Sequence, residues 1–254
     1  MHIQNIISRS RYLWLSLVAV IVVAIVSCSP VQPSSPTLPM NFSWSFRTET
    51  HNWTAGFAEY HVSANGQALD TGKYEMKAEH RLLPVELQNA TSASAKAMFL
   101  QSHNRSDDMF MFLKRRITGL QPLKTYTIDA TVRFASNEVL GRVGIGGAPA
   151  EAVFVKFGAS AIEPKVSVVD GFVRFNLDKG NQANGGENAI VLGNIGISST
   201  VNNAFVFKTL STTPKLFMNA DADGSLWIFV GTDSGYEGLT QIYYDHIEVV
   251  CTPR

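Results

Sequence analysis

Two short segments gather carboxylates beside an aromatic ring. One is Asp233-Ser-Gly-Tyr236-Glu237-Gly, and the other is Asp107-Asp108, just ahead of the apolar run Met-Phe-Met-Phe-Leu. Carboxylates on a glycine-flexible loop accept hydrogen bonds from hydroxyl groups or hold a calcium ion, and a tyrosine face stacks on a sugar ring. The competing reading is structural, since Asp and Ser in loops often bond neighbouring backbone amides. Hydrolysis of a glycoside would need two carboxylates about 5–10 Å apart, and Asp233 with Glu237 are the pair to consider. Asn219-Ala-Asp221-Ala-Asp223-Gly places oxygen ligands at alternate positions before a glycine, as in the first half of a calcium loop. Its twelfth position is Val230 rather than a bidentate glutamate, so the alternative is a polar β-turn. Calcium is the only cofactor these residues suggest. Trp44, Trp53 and Trp227 are further stacking candidates, although aromatics of a β-rich chain usually fill its core. Trp53, near a strand end, is the one expected to be exposed.

Other chemistries find less support. Ser160 sits in Gly158-Ala-Ser-Ala161, without the second glycine of a nucleophile elbow. His51, His61, His80, His103 and His246 show no metal-ligand spacing, and no catalytic residue is assigned. Gly144–Gly147 has no following helix to make it a phosphate loop and reads as a bend or bulge. The polar stretch Lys179–Asn188 is either a binding loop or a mobile one. Asp245 is a puzzle: strict alternation puts it on the apolar face of Tyr243, Ile247, Val249 and Cys251, where a carboxylate must be paired or metal-bound. Arg115, Arg116 or Arg133 would pair with it, a cation would neutralise it, or a β-bulge would turn it outward.

The elements that must position these groups are strands. Tyr126, Ile128, Ala130, Val132 and Phe134 alternate with Thr125, Thr127, Asp129, Thr131 and Arg133, the pattern of a strand with one face in a core and one in water. Phe154–Phe157, Ala204–Thr209, Leu226–Gly231 and Gln241–Val250 also read as strands. Val166–Val169 and Phe172–Leu177 flank Asp170-Gly171, a two-residue hairpin signal, because the primed turn needs positive φ at both positions. Asn89–Met98 is the one stretch with any helical character. Many strands, closely spaced turns and no βαβ alternation give an all-β expectation: a two-sheet antiparallel jelly-roll sandwich forming a single domain over residues 42–254.

The chain starts differently. Arg9 and Arg11 precede the apolar stretch Leu13–Val26, which ends at the small residue Ser27. This is the layout of a secretory signal, and Tyr12–Val26 is shorter than the roughly 20 residues of a membrane span. Ile25-Val26-Ser27-Cys28 resembles a bacterial lipobox. The resemblance implies a signal peptide of residues 1–27, a thioether lipid on Cys28, an acylated amino group and, with Ser29 following, delivery to the outer membrane. Residues 28–41 are the lipidated cysteine and a Pro/Ser-rich tether. Cleavage leaves 227 residues, enough for a sizeable core. They carry 19 basic and 21 acidic residues, a net charge of −2, which argues against a nucleic-acid partner. With Cys28 lipidated, Cys251 has no intramolecular partner and the exported domain has no disulfide.

Two stretches resemble carbohydrate-binding jelly rolls of the galactose-binding-like kind: Ile117-Thr-Gly-Leu120-Gln-Pro122-Leu-Lys-Thr125-Tyr126 and the closing Gly238–Val249, with Asn52-Trp53-Thr-Ala-Gly-Phe57 fitting their opening strand. The chain also resembles a group of uncharacterised bacterial lipoproteins through Asn104–Arg115, Gly144–Pro149 and Val230–Gly238. These resemblances imply a lipid-anchored envelope protein that binds a glycan or an envelope partner without chemistry. The alternatives are a carbohydrate-active hydrolase using the loop carboxylates and a structural protein that binds another protein.

Overall fold

The computed structural model describes residues 38–62, 71–198 and 203–254. Within them the strands, in chain order, are β1 (Met40–Ser45), β2 (Thr54–Ala58), β3 (Tyr60–His61), β4 (Lys77–Leu82), β5 (Lys96–His103), β6 (Met109–Ile117), β7 (Thr125–Ser136), β8 (Val153–Ser160), β9 (Val166–Val169), β10 (Phe172–Phe175), β11 (Ala189–Asn194), β12 (Val206–Ser211), β13 (Leu216–Asn219), β14 (Leu226–Ser234) and β15 (Leu239–Pro253). Two one-turn helices, α1 (Thr71–Tyr74) and α2 (Val85–Gln88), are the only helical pieces among the described residues. The expected helix at Asn89–Met98 is not formed. Asn89 caps the end of α2 and Lys96 already begins β5. Its serines and threonine bond locally instead, as in Thr91 Oγ1 donating to the Leu87 carbonyl at 3.0 Å.

The fold is an all-β, antiparallel two-sheet jelly-roll sandwich. One sheet has seven strands in the order β12-β7-β15-β5-β4, with β1 also pairing β15 and β13 also pairing β7. The facing sheet has five, in the order β11-β8-β14-β6-β2. A small third sheet, β3-β10-β9, adds to the two that the sequence suggests. The described residues lie within one compact unit, Pro36–Arg254. β1 starts at Met40, which pairs with Cys251, so the sandwich begins two residues before the expected boundary at 42 and takes up the end of the tether. Cys28 and the signal lie outside the described residues.

Alternation builds the core. Ile128, Val132 and Phe134 of β7, Ile247 and Val249 of β15, Val155 and Phe157 of β8 and Ile228 and Val230 of β14 are all fully buried between the sheets. Each such side chain contributes about 1.5–3 kcal/mol on leaving water. The five-stranded sheet is covered on its other face too. There Phe110, Phe112 and Phe229 pack against Phe175, which ends β10, and Leu177 just beyond it. Asp170 and Gly171 turn that hairpin with φ of 50° and 78°, the positive values a primed turn requires.

Candidate functional site

The outward face of the seven-stranded sheet carries a polar groove. Register fixes its floor. Ser45, His246, Arg133 and Thr209 form one row across β1, β15, β7 and β12, and Ser43, Glu248, Thr131 and Ser211 form the next. All are outward partners of the buried positions, so eight polar side chains on four strands converge without any loop contribution. Six of them, with Arg47 just past β1, line a hollow of about 470 Å³ whose walls are Ser45, Arg47, Thr131, Arg133, Thr209, His246 and Glu248. A smaller hollow of about 200 Å³ shares Thr131 and Glu248 and extends to Asp129, Ser211 and Thr212. A third, of about 630 Å³, is walled by Arg81, Glu86, Phe205 and Tyr243. There the Arg81 guanidinium lies 4.7 Å from the centre of the Phe99 ring.

Asp245 organises the groove. β15 slips register between Tyr244 and His246, so Asp245 is the extra residue of a β-bulge. Ile242 and Tyr244 point inward before the bulge, and Ile247, Val249 and Cys251 do so after it. Asp245 and His246 therefore both lie on the outer side. This departs from the strict alternation of the sequence reading, and the bulge and Arg133 together resolve the puzzle it raised. The carboxylate is fully buried under two guanidiniums: Arg133 Nε donates to Oδ2 at 2.6 Å, and Arg47 Nε donates to Oδ1 at 3.2 Å. Arg133 also covers the Phe207 ring at 4.7 Å. Each arginine side chain remains over a third exposed, and both line the groove. His246 Nε2 stands 3.1 Å from both Ser43 Oγ and Glu248 Oε1. The groove thus combines planar donors, a carboxylate acceptor, an imidazole and hydroxyls on a rigid floor, a set suited to a polyhydroxylated ligand.

The loop residues singled out from sequence meet at one end of the five-stranded sheet. β6 and β14 pair Phe110 with Asp233 and Met109 with Ser234, which brings Asp107-Asp108 beside the segment 234–237. Asn104 ties the two together by donating to the carbonyls of Ser234 at 2.7 Å and Tyr236 at 3.0 Å. The set is not an open rim, however. Asp107 and Glu237 are exposed, Asp108 and Tyr236 are half-buried, and Asp233 is fully buried. Asp233 Oδ2 accepts from Lys179 Nζ at 2.9 Å and the Gln182 amide at 2.9 Å, and lies 2.7 Å from Lys156 Nζ. The loop Lys179–Asn188 is thereby strapped down over the sheet, and Asp233 is buried beneath it while Glu237 is exposed. Tyr236 lies against Gly144, where an added Cβ would come within 2.5 Å of its ring. The glycine run is a close-packing device here.

Trp53 is a correction. It is 3% exposed and packs edge-on to Trp44 and Phe46 at ring separations of 5.5 and 5.9 Å, so it belongs to the core and offers no platform. In the Asn219–Asp223 segment the oxygens are used by the chain itself. Arg116 donates to Asp221 at 3.2 Å and Asp223 at 2.7 Å, Thr125 donates to Asn219 at 2.6 Å, and the Ser225 amide donates to Asp221 at 2.7 Å. A guanidinium stands where the loop reading puts a cation, and the hydrogen bonds are those of a polar turn. These contacts hold the Asp221 carboxyl far below the usual carboxylate range, with the interaction with Asp223 leading. No group of three or more His, Cys, Asp or Glu residues suited to a metal occurs among the described residues. Arg47, Thr131, Thr209, His246 and Glu248 were not singled out from sequence. The one signal for them was the break in alternation at Asp245.

No protein-family profile and no curated protein matches the chain. Among solved structures, the mannan-recognising carbohydrate-binding module TmCBM27 is 10% identical, over 84% of this chain and 98% of its own, with a TM-score of 0.38. The CBM22-1 xylan-binding domain of Xyn10C from Paenibacillus barcinonensis is 13% identical over 87% and 99%, with a TM-score of 0.35. A Stig cyclase from Fischerella sp. TAU is 10% identical over 81% and 91%, also with a TM-score of 0.35. These proteins differ in what they do.

Proposed function

We propose that this chain is a lipid-anchored module of a bacterial cell envelope that binds a glycan, without catalysis, in the groove over β1, β15, β7 and β12. The observation that supports it is the double row of polar side chains around the buried Asp245. Groups held on paired strands lose little freedom on binding, and each guanidinium already has its orientation fixed by one carboxylate. Two donors and two acceptors within one hollow match the vicinal hydroxyls of a sugar. The rim at Asp107, Tyr236 and Glu237 lies on the other sheet and is a secondary contact at most. With Asp233 held by two lysines and Glu237 exposed, the pair is not arranged as an acid and a base. The anchor reading rests on Arg9, Arg11, Leu13–Val26 and Cys28 in the sequence, and among the described residues no helix is long and apolar enough to cross a membrane. Several lipid chains together would hold the protein on a bilayer stably. The outer membrane is the proposed address.

Two experiments test these readings separately. The folded domain is applied to a broad glycan array with and without calcium. Retention on at least one glycan, unchanged by chelation, is expected, and no retention on any glycan would overturn the binding role. For the anchor, Cys28→Ser should move the protein from the membrane to the soluble periplasmic fraction, and its staying on the membrane would contradict lipidation.

A further inference from the structure

Lys156 and Asp233 form a charged pair inside the layer that covers the five-stranded sheet. Both side chains are fully buried, their strands β8 and β14 are adjacent, and Nζ lies 2.7 Å from Oδ2. Phe110, Phe175 and Phe229 cluster on the same side of the sheet, and Lys179 Nζ stands 5.4 Å from the centre of the Phe110 ring. A charged pair in such a place is expensive to desolvate and contributes little to stability that apolar residues could not supply. The details of the contacts suggest chemistry instead. The Lys156 nitrogen reaches two backbone carbonyls, of Lys179 at 2.8 Å and Asn184 at 2.9 Å. A neutral amine has two N–H bonds and one lone pair. With both N–H bonds given to these carbonyls, the lone pair is left for the Asp233 carboxyl. Oδ2 of that carboxyl already receives N–H donors from Lys179 and Gln182, both at 2.9 Å. Oδ1 accepts no bond from an N–H or O–H donor among the described residues, nor does Oδ1 of Asp108. Lys179 Nζ also stands 3.6 Å from Oδ1 of Asp108, so the two carboxyl groups meet at one cation.

We infer that Lys156 and Asp233 join in an intramolecular amide bond, formed by the folded protein itself with Asp108 as the proton-transfer group. In this reaction Nζ adds to Cγ of Asp233, and the charge that develops on Oδ2 is held by the Lys179 ammonium and the Gln182 amide, as in an oxyanion hole. Asp108 delivers its own carboxyl proton to Oδ1, takes one proton from the nitrogen and passes it on to the same oxygen. The C–Oδ1 bond breaks, one water leaves, and Asp108 ends as the carboxylate. No oxidant, reductant or cofactor is consumed. Asp108 is partly exposed, which gives that water a way out.

The protonation states agree with these roles. Burial, ahead of all other causes, pushes the Lys156 amine down toward its neutral form. Burial and then the Asp233 charge push the Asp108 carboxyl up to about 7, where it can both give and take a proton. Fixed proximity in a dry site supplies the remaining acceleration. Such a bond would staple β8 to β14 in a chain whose one described cysteine is unpaired.

The test is mass spectrometry of the full-length chain after proteolysis. The expected result is a branched peptide linking Lys156 to Asp233, lighter than its two linear parts by one water, and its absence from Asp108→Asn protein shown by circular dichroism to be folded. Linear peptides alone from wild type, with Lys156 open to amine reagents after denaturation, would overturn the inference, as would a branch at Lys179. A branch that persists in Asp108→Asn would overturn the role given to Asp108. The wild-type measurement needs no variant to fold and is independent of glycan binding.

Discussion

Replacing Asp245 by asparagine removes the charge that holds the groove together while keeping the side chain's shape. In the native protein the buried carboxylate takes hydrogen bonds from Arg133 at 2.6 Å and Arg47 at 3.2 Å. A hydrogen bond to a charged group contributes about 1.5–3 kcal/mol. The asparagine amide can still accept from one guanidinium, but its N–H₂ end then meets the donors of the other. The Arg47 and Arg133 side chains are 39% and 35% exposed, so water compensates part of the loss. The net cost should be about 2–4 kcal/mol, below the 3–5 kcal/mol of a fully interior pair broken on one side. For a domain of this size each kcal/mol lowers Tm by about 2–4 °C, so a drop of roughly 4–16 °C is expected. Urea titration followed by tryptophan fluorescence, with wild type alongside, measures it. A change within about 0.5 kcal/mol, the range of an ordinary surface substitution, would refute the organising role of Asp245.

Trp53→Ala should cost about 3–5 kcal/mol in the same titration, as expected for a large aromatic removed from a core. The protein that remains folded should retain any glycan that wild type retains, and a selective loss of binding with unchanged stability would return Trp53 to the surface. Cys251 is fully buried, and burial pushes its thiol from 9.0 up to about 12. Between those values the folded chain holds a proton that the unfolded chain releases, so its contribution to stability is complete below about 9 and declines as pH rises toward 12. The stability of wild type minus that of Cys251→Val should therefore fall with pH above 9, and a difference independent of pH from 8 to 11 would contradict the burial.

Alternation was the most readable feature. β7 could be traced residue by residue from Thr125 to Arg133, and Asp170-Gly171 announced its hairpin, because both patterns are local. The groove was not legible for the opposite reason. Ser45, His246, Arg133 and Thr209 are ordinary polar residues in sequence and become a row only once β12, β7, β15 and β1 are neighbours. Asp245 showed that something interrupts β15, but the identity of Arg47 as a partner 198 positions away follows from tertiary pairing alone. Trp53 was misjudged because its position near a strand end suggested exposure. The packing of Trp44 and Phe46 against it depends on how the chain re-enters the core after β1. The acidic segments meet because β6 pairs with β14, and the lysines that bury Asp233 come from β8 and from a polar loop whose composition gives no hint of a strap.

The central claim is that a glycan occupies the groove over β1, β15, β7 and β12. Isothermal titration of the best array glycan into wild type and into Thr209→Trp measures it most directly, since an exposed position on the floor, beside Arg133, would then carry an indole that fills the hollow. Loss of at least about tenfold in affinity, about 1.4 kcal/mol, with unchanged unfolding is the expected result. Equal affinity of the two proteins would contradict the groove as the binding site.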